Sequence, residues 1–386
     1  MSTQEKKIIY FDNSATTIRK APGLDKALSC SLVGLGNAGR SFYDHSINAA
    51  KEVYACREEL AQLFGIKNPL NIALTSSATE SLNLVIYGLL GEKDHVLTTK
   101  SEHNSVLRPL YNSGSDISFI DLDDKGQIIT DDLKQYLRKN TKAVICTHGS
   151  NLSGNITDVK TIRDFCRENG LIFVLDAAQT AGCIKIDNDL ADFICFTGHK
   201  GLLGPQGTGG IVFCGNDITS EFPIEIIKTG GTGSNSFDKI QPHLMPDIFE
   251  AGTLNAHSIS GLKKSCRFIN ETSIQKIREK ESQLTEMFID GLKNIEGIIH
   301  YGQNETKHRL PIVAINLKDL SSDDFAYKLW DEYKIATRSG THCAPLIHEH
   351  FGTSDRGIVR FSFSYFNTEE EIRAALDAIE EISWNT

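Results

Sequence analysis

No stretch of this sequence reaches the roughly 18 consecutive apolar residues that a membrane-spanning helix needs. The opening segment MSTQEKKIIYF has no apolar core before a cleavage site, so the expectation is a cytosolic protein with no membrane partner. Positive charge is also short. Lys and Arg number 40 against 50 Asp and Glu, a formal net charge of -10, which argues against nucleic acid or an anionic membrane as the main partner because both reward a basic surface.

Paired cysteines are missing as well. The nine cysteines (30, 56, 146, 166, 183, 195, 214, 266 and 343) are odd in number, scattered and never spaced C-x-x-C, which argues against a disulfide framework or zinc knuckle. Several lie in apolar runs, such as Cys146 in AVICTH and Cys195 in DFICFTGHK, where cysteine behaves as a small buried hydrophobe. There is no internal repeat and no low-complexity stretch. What remains, 386 residues with 40% hydrophobic and 23% charged, is an ordinary globular composition too long for one core.

Short apolar runs alternate with longer amphipathic segments. The runs are 70–75, 95–99, 117–122, 143–148, 171–176, 193–198 and 210–214, and HSINAAKEVYACREELAQLFG reads as a helix closed by Gly65. Continuous apolar strands are expected where helices cover both faces of a parallel sheet, so the fold class is α/β. This large domain is expected to span 15–260. A small α+β domain would take 1–14 and 261–386, with helices near 275–295 and 322–332, strands at LPIVAINL and IVRFSFS, and a last helix from Thr368. TGGTGSNS at 229–236 reads as a mobile or closely packed loop.

In FTGHKGLLGPQGTGG a strand runs straight into Gly198-His199-Lys200. Glycines keep the backbone thin there, and the lysine is expected to be presented rather than buried. A surface lysine is the bland alternative, but the flanks add what a pyridoxal-phosphate (PLP) site needs: a Schiff-base lysine, a carboxylate for the ring nitrogen and a phosphate cup. Asp176 ends the apolar strand LIFVLD, at the edge where α/β sheets bind ligands. An Asp that caps the next segment is the competing reading. After LNIALT a helix begins near Ala78 or Thr79, and its free N–H groups favour an anion. Ser77 or Thr79 acting as a plain cap is compatible with that. Thr197 and His199 could add donors. His103 follows another strand and is either structural or a ring that stacks on the cofactor and moves protons.

Cys343, in ATRSGTHCAPLIHEHFG, falls on a polar loop unlike the settings of the other cysteines. Arg338 and His342 are residue types that favour a thiolate. An incidental loop cysteine is the alternative, and His342, His348 and His350 match no recognised metal spacing. Arg360, alone among apolar residues in IVRFSFSYF, needs a fixed partner: a substrate carboxylate or a structural ion pair.

Taken together, YFDNSATT, TSSATESLN, SEHNS, GSNLSGNI, LDAAQTAG, FTGHKGLLGPQGTGG, FEAGTLN and RSGTHCAPL resemble the class V aminotransferase group, and within it the cysteine desulfurase and selenocysteine lyase family. The short cysteine loop is similar to the SufS-like branch. GNAGRSFYDHS differs from one branch's NPGRSGH stretch at Ala38 and Tyr43. The resemblance implies the PLP-dependent transferase fold of aspartate aminotransferase type, acting as a homodimer. Lys200 would carry the cofactor, Asp176 would pair with its ring nitrogen, His103 would stack, and Gln179 would donate to the ring oxygen. Ala78, Thr79, Thr197 and His199 would hold the phosphate, joined by Thr253 from the other subunit. Asn151 and Arg360 would bind the substrate carboxylate, and Cys343 would accept sulfur from L-cysteine, or selenium from L-selenocysteine, for an acceptor protein. A transaminase or epimerase with Cys343 incidental, and a non-catalytic scaffold, are the competing readings.

Overall fold

In a computed structural model, residues 7–39, 41–233 and 236–384 are described; the first six residues of the expected small domain, and Ser234 and Asn235 of the Gly-rich stretch, lie outside them. The described residues form twelve strands and eleven α-helices. In chain order these are β1 (Ile9–Tyr10), α1 (Leu24–Gly34), α2 (Asp44–Phe64), β2 (Ile72–Thr75), α3 (Ala78–Leu89), β3 (His95–Thr99), α4 (Asn104–Ser113), β4 (Asp116–Ile120) and β5 (Thr141–Thr147). There follow α5 (Val159–Asn169), β6 (Ile172–Asp176), β7 (Phe193–Thr197), β8 (Gly209–Phe213), α6 (Ile218–Glu221), α7 (Ala256–Thr272) and α8 (Ile274–Leu292). The chain ends through β9 (Ile298–Tyr301), β10 (Ile312–Leu317), α9 (Ser322–Tyr333), β11 (Ile335–Ala336), α10 (Pro345–His350), β12 (Val359–Ser362) and α11 (Glu369–Trp384).

Seven strands form one sheet in the order β2-β8-β7-β6-β5-β3-β4. Its apolar runs lack polar alternation because both faces are covered. Val144 and Cys146 of β5 join the core made with α2, α5 and α7, while Ala143 and Ile145 join the core made with α3 and α4. Only β8 departs from the parallel expectation, running antiparallel to both β7 and β2. The connection from β7 to β8 carries no helix, and a parallel return needs a crossover of a dozen or more residues, usually helical. Gly65 closes α2 in the left-handed conformation, at φ 66°.

A second core gathers Phe288 of α8, Val313 of β10, Phe325 of α9, Phe361 of β12 and Ile379 of α11 around Phe11. Here β9 and β12 flank β10 antiparallel, and β1 pairs with β11, bringing the N-terminal segment to the C-terminal unit. Among the described residues no helix is long and apolar enough to cross a membrane.

Candidate active site

The carboxyl ends of β2, β5, β6 and β7 converge on one cavity. Ala78, Thr79, His103, Asn151, Asp176, Gln179, Thr197, His199 and Lys200 line it, nine of the residues singled out from sequence. Cys343, Arg360 and Thr253 do not line it.

Strand register explains the convergence. Thr147 at the end of β5 pairs with Asp176 at the end of β6, and β7 ends at Thr197, three residues before the lysine. The turn that follows requires glycine: a Cβ on Gly198 would sit 2.1 Å from Thr208 Oγ1, and one on Gly201 2.5 Å from Cys183 Sγ. Lys200 is half-buried and opens onto the cavity. Burial pushes its ammonium down to about 8, against the opposing pull of Asp176, with Arg360 and Arg338 adding to the fall. Asp176 accepts the Ala178 N–H at 2.9 Å. Burial raises its carboxyl, while that bond and Lys200 favour its charge.

The N-terminus of α3 opens into the cavity. Ser77 is the cap, accepting the Glu80 N–H at 3.2 Å, and Glu80 turns away to Ser76 and Lys228. Thr79 Oγ1 lies 2.7 Å from Ser105 Oγ. His103 caps α4, its Nδ1 accepting the Ser105 N–H at 3.0 Å, which leaves the ring proton on Nε2. Burial, with help from Lys200, pushes the His103 ring down to about 4, and burial brings His199 to about 4 as well, so both are neutral at physiological pH. Ser105, Thr147 and Gly149 also line the cavity and went unnoticed in the sequence. The hydroxyls of Ser105 within SEHNS and of Thr147 within AVICTH were the available signal.

Arg360 is fully enclosed, and of its two sequence readings the structure shows the ion pair. Nη2 pairs with Asp12 at 2.8 Å and Nη1 donates to the Asn151 carbonyl at 2.9 Å, so the guanidinium reaches the cavity wall through Asn151. Cys343 is exposed, as expected, but Cys30 is exposed too, so the loop cysteine is not unique in accessibility. His342 is buried, and its ring is held well below the usual histidine range chiefly by that burial. It stacks on His348 with ring centroids 5.7 Å apart. His342 is therefore neutral and supplies no positive charge to the neighbouring thiol, contrary to the sequence expectation.

His342 and Cys343 both adopt left-handed backbone, at φ 52° and 56°, a conformation costing on the order of 1–3 kcal/mol per residue. Two ties hold it: Asn151 Nδ2 donates to the His342 carbonyl at 2.8 Å, and the Asn104 N–H donates to the Cys343 carbonyl at 2.8 Å.

Asn151 Oδ1 and His199 Nδ1 are buried in the cavity wall without a hydrogen-bond partner among the described residues. Such atoms require a polar guest. With an amine of lowered proton affinity, a buried carboxylate and a helix N-terminus, the donor set fits PLP.

Comparison with known proteins agrees. Residues 9–375 match the model of the aminotransferase class-V family, and the chain belongs to that family, whose cofactor is PLP. A probable cysteine desulfurase of Pyrococcus abyssi is 33% identical, covering 98% of this chain and 95% of that protein. One from Methanothermobacter thermautotrophicus is 31% identical over 97% and 94%. Among solved structures, the apo cysteine desulfurase of Thermococcus onnurineus superposes with a TM-score of 0.90 at 32% identity, covering 98% of this chain and 95% of that one.

Proposed function

We propose that the chain is a PLP-dependent cysteine desulfurase that converts L-cysteine to L-alanine and takes the sulfur onto Cys343. The observation that carries this reading is the pair of ties from Asn151 and Asn104 to the Cys343 loop, which join an exposed thiol to the wall of the lysine cavity.

When bound, PLP supplies an electron sink that labilises bonds at the substrate α-carbon. Lys200 would hold the cofactor, and its amine of lowered proton affinity would serve as a base toward the substrate. Asp176 would supply the carboxylate for the cofactor's ring nitrogen, and His103 and Gln179 would line its binding site. The N–H groups opening α3, with Thr79, Thr197 and His199, would hold the phosphate. Arg360 and Asn151 orient the substrate carboxylate. In the net transfer the substrate C–S bond breaks, the Cys343 S–S bond forms, and a proton replaces sulfur on the alanine carbon.

The reading includes a homodimer, a cytosolic setting and an acceptor protein that takes the persulfide sulfur, with iron-sulfur assembly one destination. Thr253 is exposed away from its own cavity, which supports a role at the partner's phosphate. Exposed Val33, Phe42 and Phe237 support an apolar interface. Phe11, at the head of the N-terminal segment, packs in the core of the C-terminal unit, which supports the two-domain division; α7 packs on α1 and α2 and so falls with the larger domain.

The test is purified holoenzyme with L-cysteine. Stoichiometric sulfide and alanine, lost in Cys343→Ala with cofactor absorbance retained, is the expected result. Keto-acid without sulfide would make it a transaminase. Selenide from L-selenocysteine that survives Cys343→Ala would make it a selenocysteine lyase.

A further inference from the structure

Beneath the cavity lies a second carboxyl that the proposed reaction does not use. Glu102 is wholly buried. One oxygen, Oε1, accepts both the Thr99 hydroxyl at 2.6 Å and the Thr147 N–H at 2.9 Å, while Oε2 is buried with no hydrogen-bond partner among the described residues. Thr99 ends β3 and Thr147 ends β5, and Thr147 lies in register with Asp176. The Glu102 side chain thus pins two neighbouring strand ends where they turn into the site, directly before His103.

We infer that Glu102 is a positioning residue that works as a neutral carboxylic acid, tying the ends of β3 and β5 beneath the cavity while leaving Asp176 as the charged carboxylate for the cofactor's ring nitrogen. The inference rests on the reading of Asp176 given above.

The geometry argues for the neutral form. A carboxylate spreads its charge over both oxygens, and here one of them would lose its hydration with nothing in exchange, a heavier penalty than burying a hydroxyl. A protonated acid places its O–H at Oε2 and keeps Oε1 as the acceptor for both Thr groups. Burial pushes Glu102 up to about 8, with the Asp176 charge acting in the same direction against the two Thr hydrogen bonds. The other titratable groups nearby supply no compensating charge. The Cys146 thiol of β5 is driven far up by burial, and His148 and His103 are each pushed down to about 4 chiefly by burial. Among the described residues no cationic side chain forms a salt bridge with Glu102, whereas Asp176 has Lys200 and the Ala178 N–H to favour its charge. Two carboxyls pushed apart in this way have separate tasks.

The experiment compares Glu102→Gln and Glu102→Ala holoenzymes by equilibrium PLP affinity and by the visible circular dichroism of the bound cofactor. The carboxamide keeps the acceptor oxygen and the uncharged state. Glu102→Gln is expected to stay within about threefold of the native affinity with the same dichroic band. Glu102→Ala strands the Thr147 N–H and the Thr99 hydroxyl and is expected to weaken binding about tenfold or more with a diminished band. Gln as damaging as Ala would mean that Glu102 acts through charge, and no effect of either would mean that it positions nothing; each overturns the inference.

If the Ala variant fails to fold, infrared difference spectra decide without it. The carbonyl stretch of a protonated acid should vanish between neutral and alkaline pH in Glu281→Gln protein, where the other buried acid pushed up to about 8 is removed, and not in Glu102→Gln/Glu281→Gln. Absence of that signal overturns the neutral acid. Failure of the underlying reading looks different: native protein would not bind PLP, or Lys200→Ala would bind it equally well.

Discussion

Asn151 and His342 join the two parts of the proposed site: the Asn151 amide donates to the His342 carbonyl at 2.8 Å, while the Asn151 carbonyl accepts Arg360 Nη1 at 2.9 Å. Asn151→Asp keeps the shape but turns the donor into an acceptor facing a carbonyl. The strained backbone at His342 and Cys343 then loses one of its two ties and relaxes. Persulfide formation in a single turnover is expected to slow about 10- to 100-fold, because misplacement of a reacting group by about 1 Å costs that much. Cofactor content, read by absorbance, should be unchanged.

Lys200 predicts a pH dependence of cofactor capture. The amine must be unprotonated to attack the PLP aldehyde, and burial sets its proton affinity at about 8. Capture by apoprotein should therefore accelerate about tenfold per pH unit below that value and level off above it. Stopped-flow absorbance checks this. An inflection in the ordinary lysine range would mean that the amine is not desolvated in the apo form.

Much of this site was legible locally. The strand runs announced themselves because both sheet faces are covered, and the carboxyl ends of those runs carried His103, Asp176 and the lysine turn. What escaped was set at long range. The reversal of β8 depends on connection geometry and not on its composition. The ion pair of Asp12 with Arg360 joins residues 348 positions apart. Glu102, beside the conspicuous His103, reads as an ordinary charge until its burial is known, and His342 reads as a polar loop residue until its stack on His348 removes it from water.

A buried ion pair steadies the segment that leads to Thr253. Arg57 and Glu250 meet through two bonds of 2.8 Å, and Glu250 also accepts the Leu74 N–H at 2.6 Å. Arg57→Met leaves the carboxylate buried without its cation, which costs about 3–5 kcal/mol. Arg57→Met/Glu250→Gln should recover a large part of that loss. Chemical denaturation of the three proteins checks the coupling, and equal stability of the two variants would mean that the pair contributes nothing specific.

Glu281 predicts the opposite of the usual carboxylate behaviour. It lines a smaller cavity with Lys200, Cys183 and Phe363, its Oε2 has no hydrogen-bond partner among the described residues, and burial raises it from 4.5 to about 8 despite the nearby Arg278. Between those two values the folded chain holds a proton that the unfolded chain has released. Stability therefore falls as pH rises across that window, in contrast to an acid whose folded pKa is depressed. Glu281→Gln removes the linkage while keeping the neutral shape. The variant should melt above the native protein at pH near 8, and the difference should shrink toward zero as the pH is lowered to about 4.5. Calorimetric melting at several pH values tests this. A difference independent of pH would mean that Glu281 is already ionised in the folded chain.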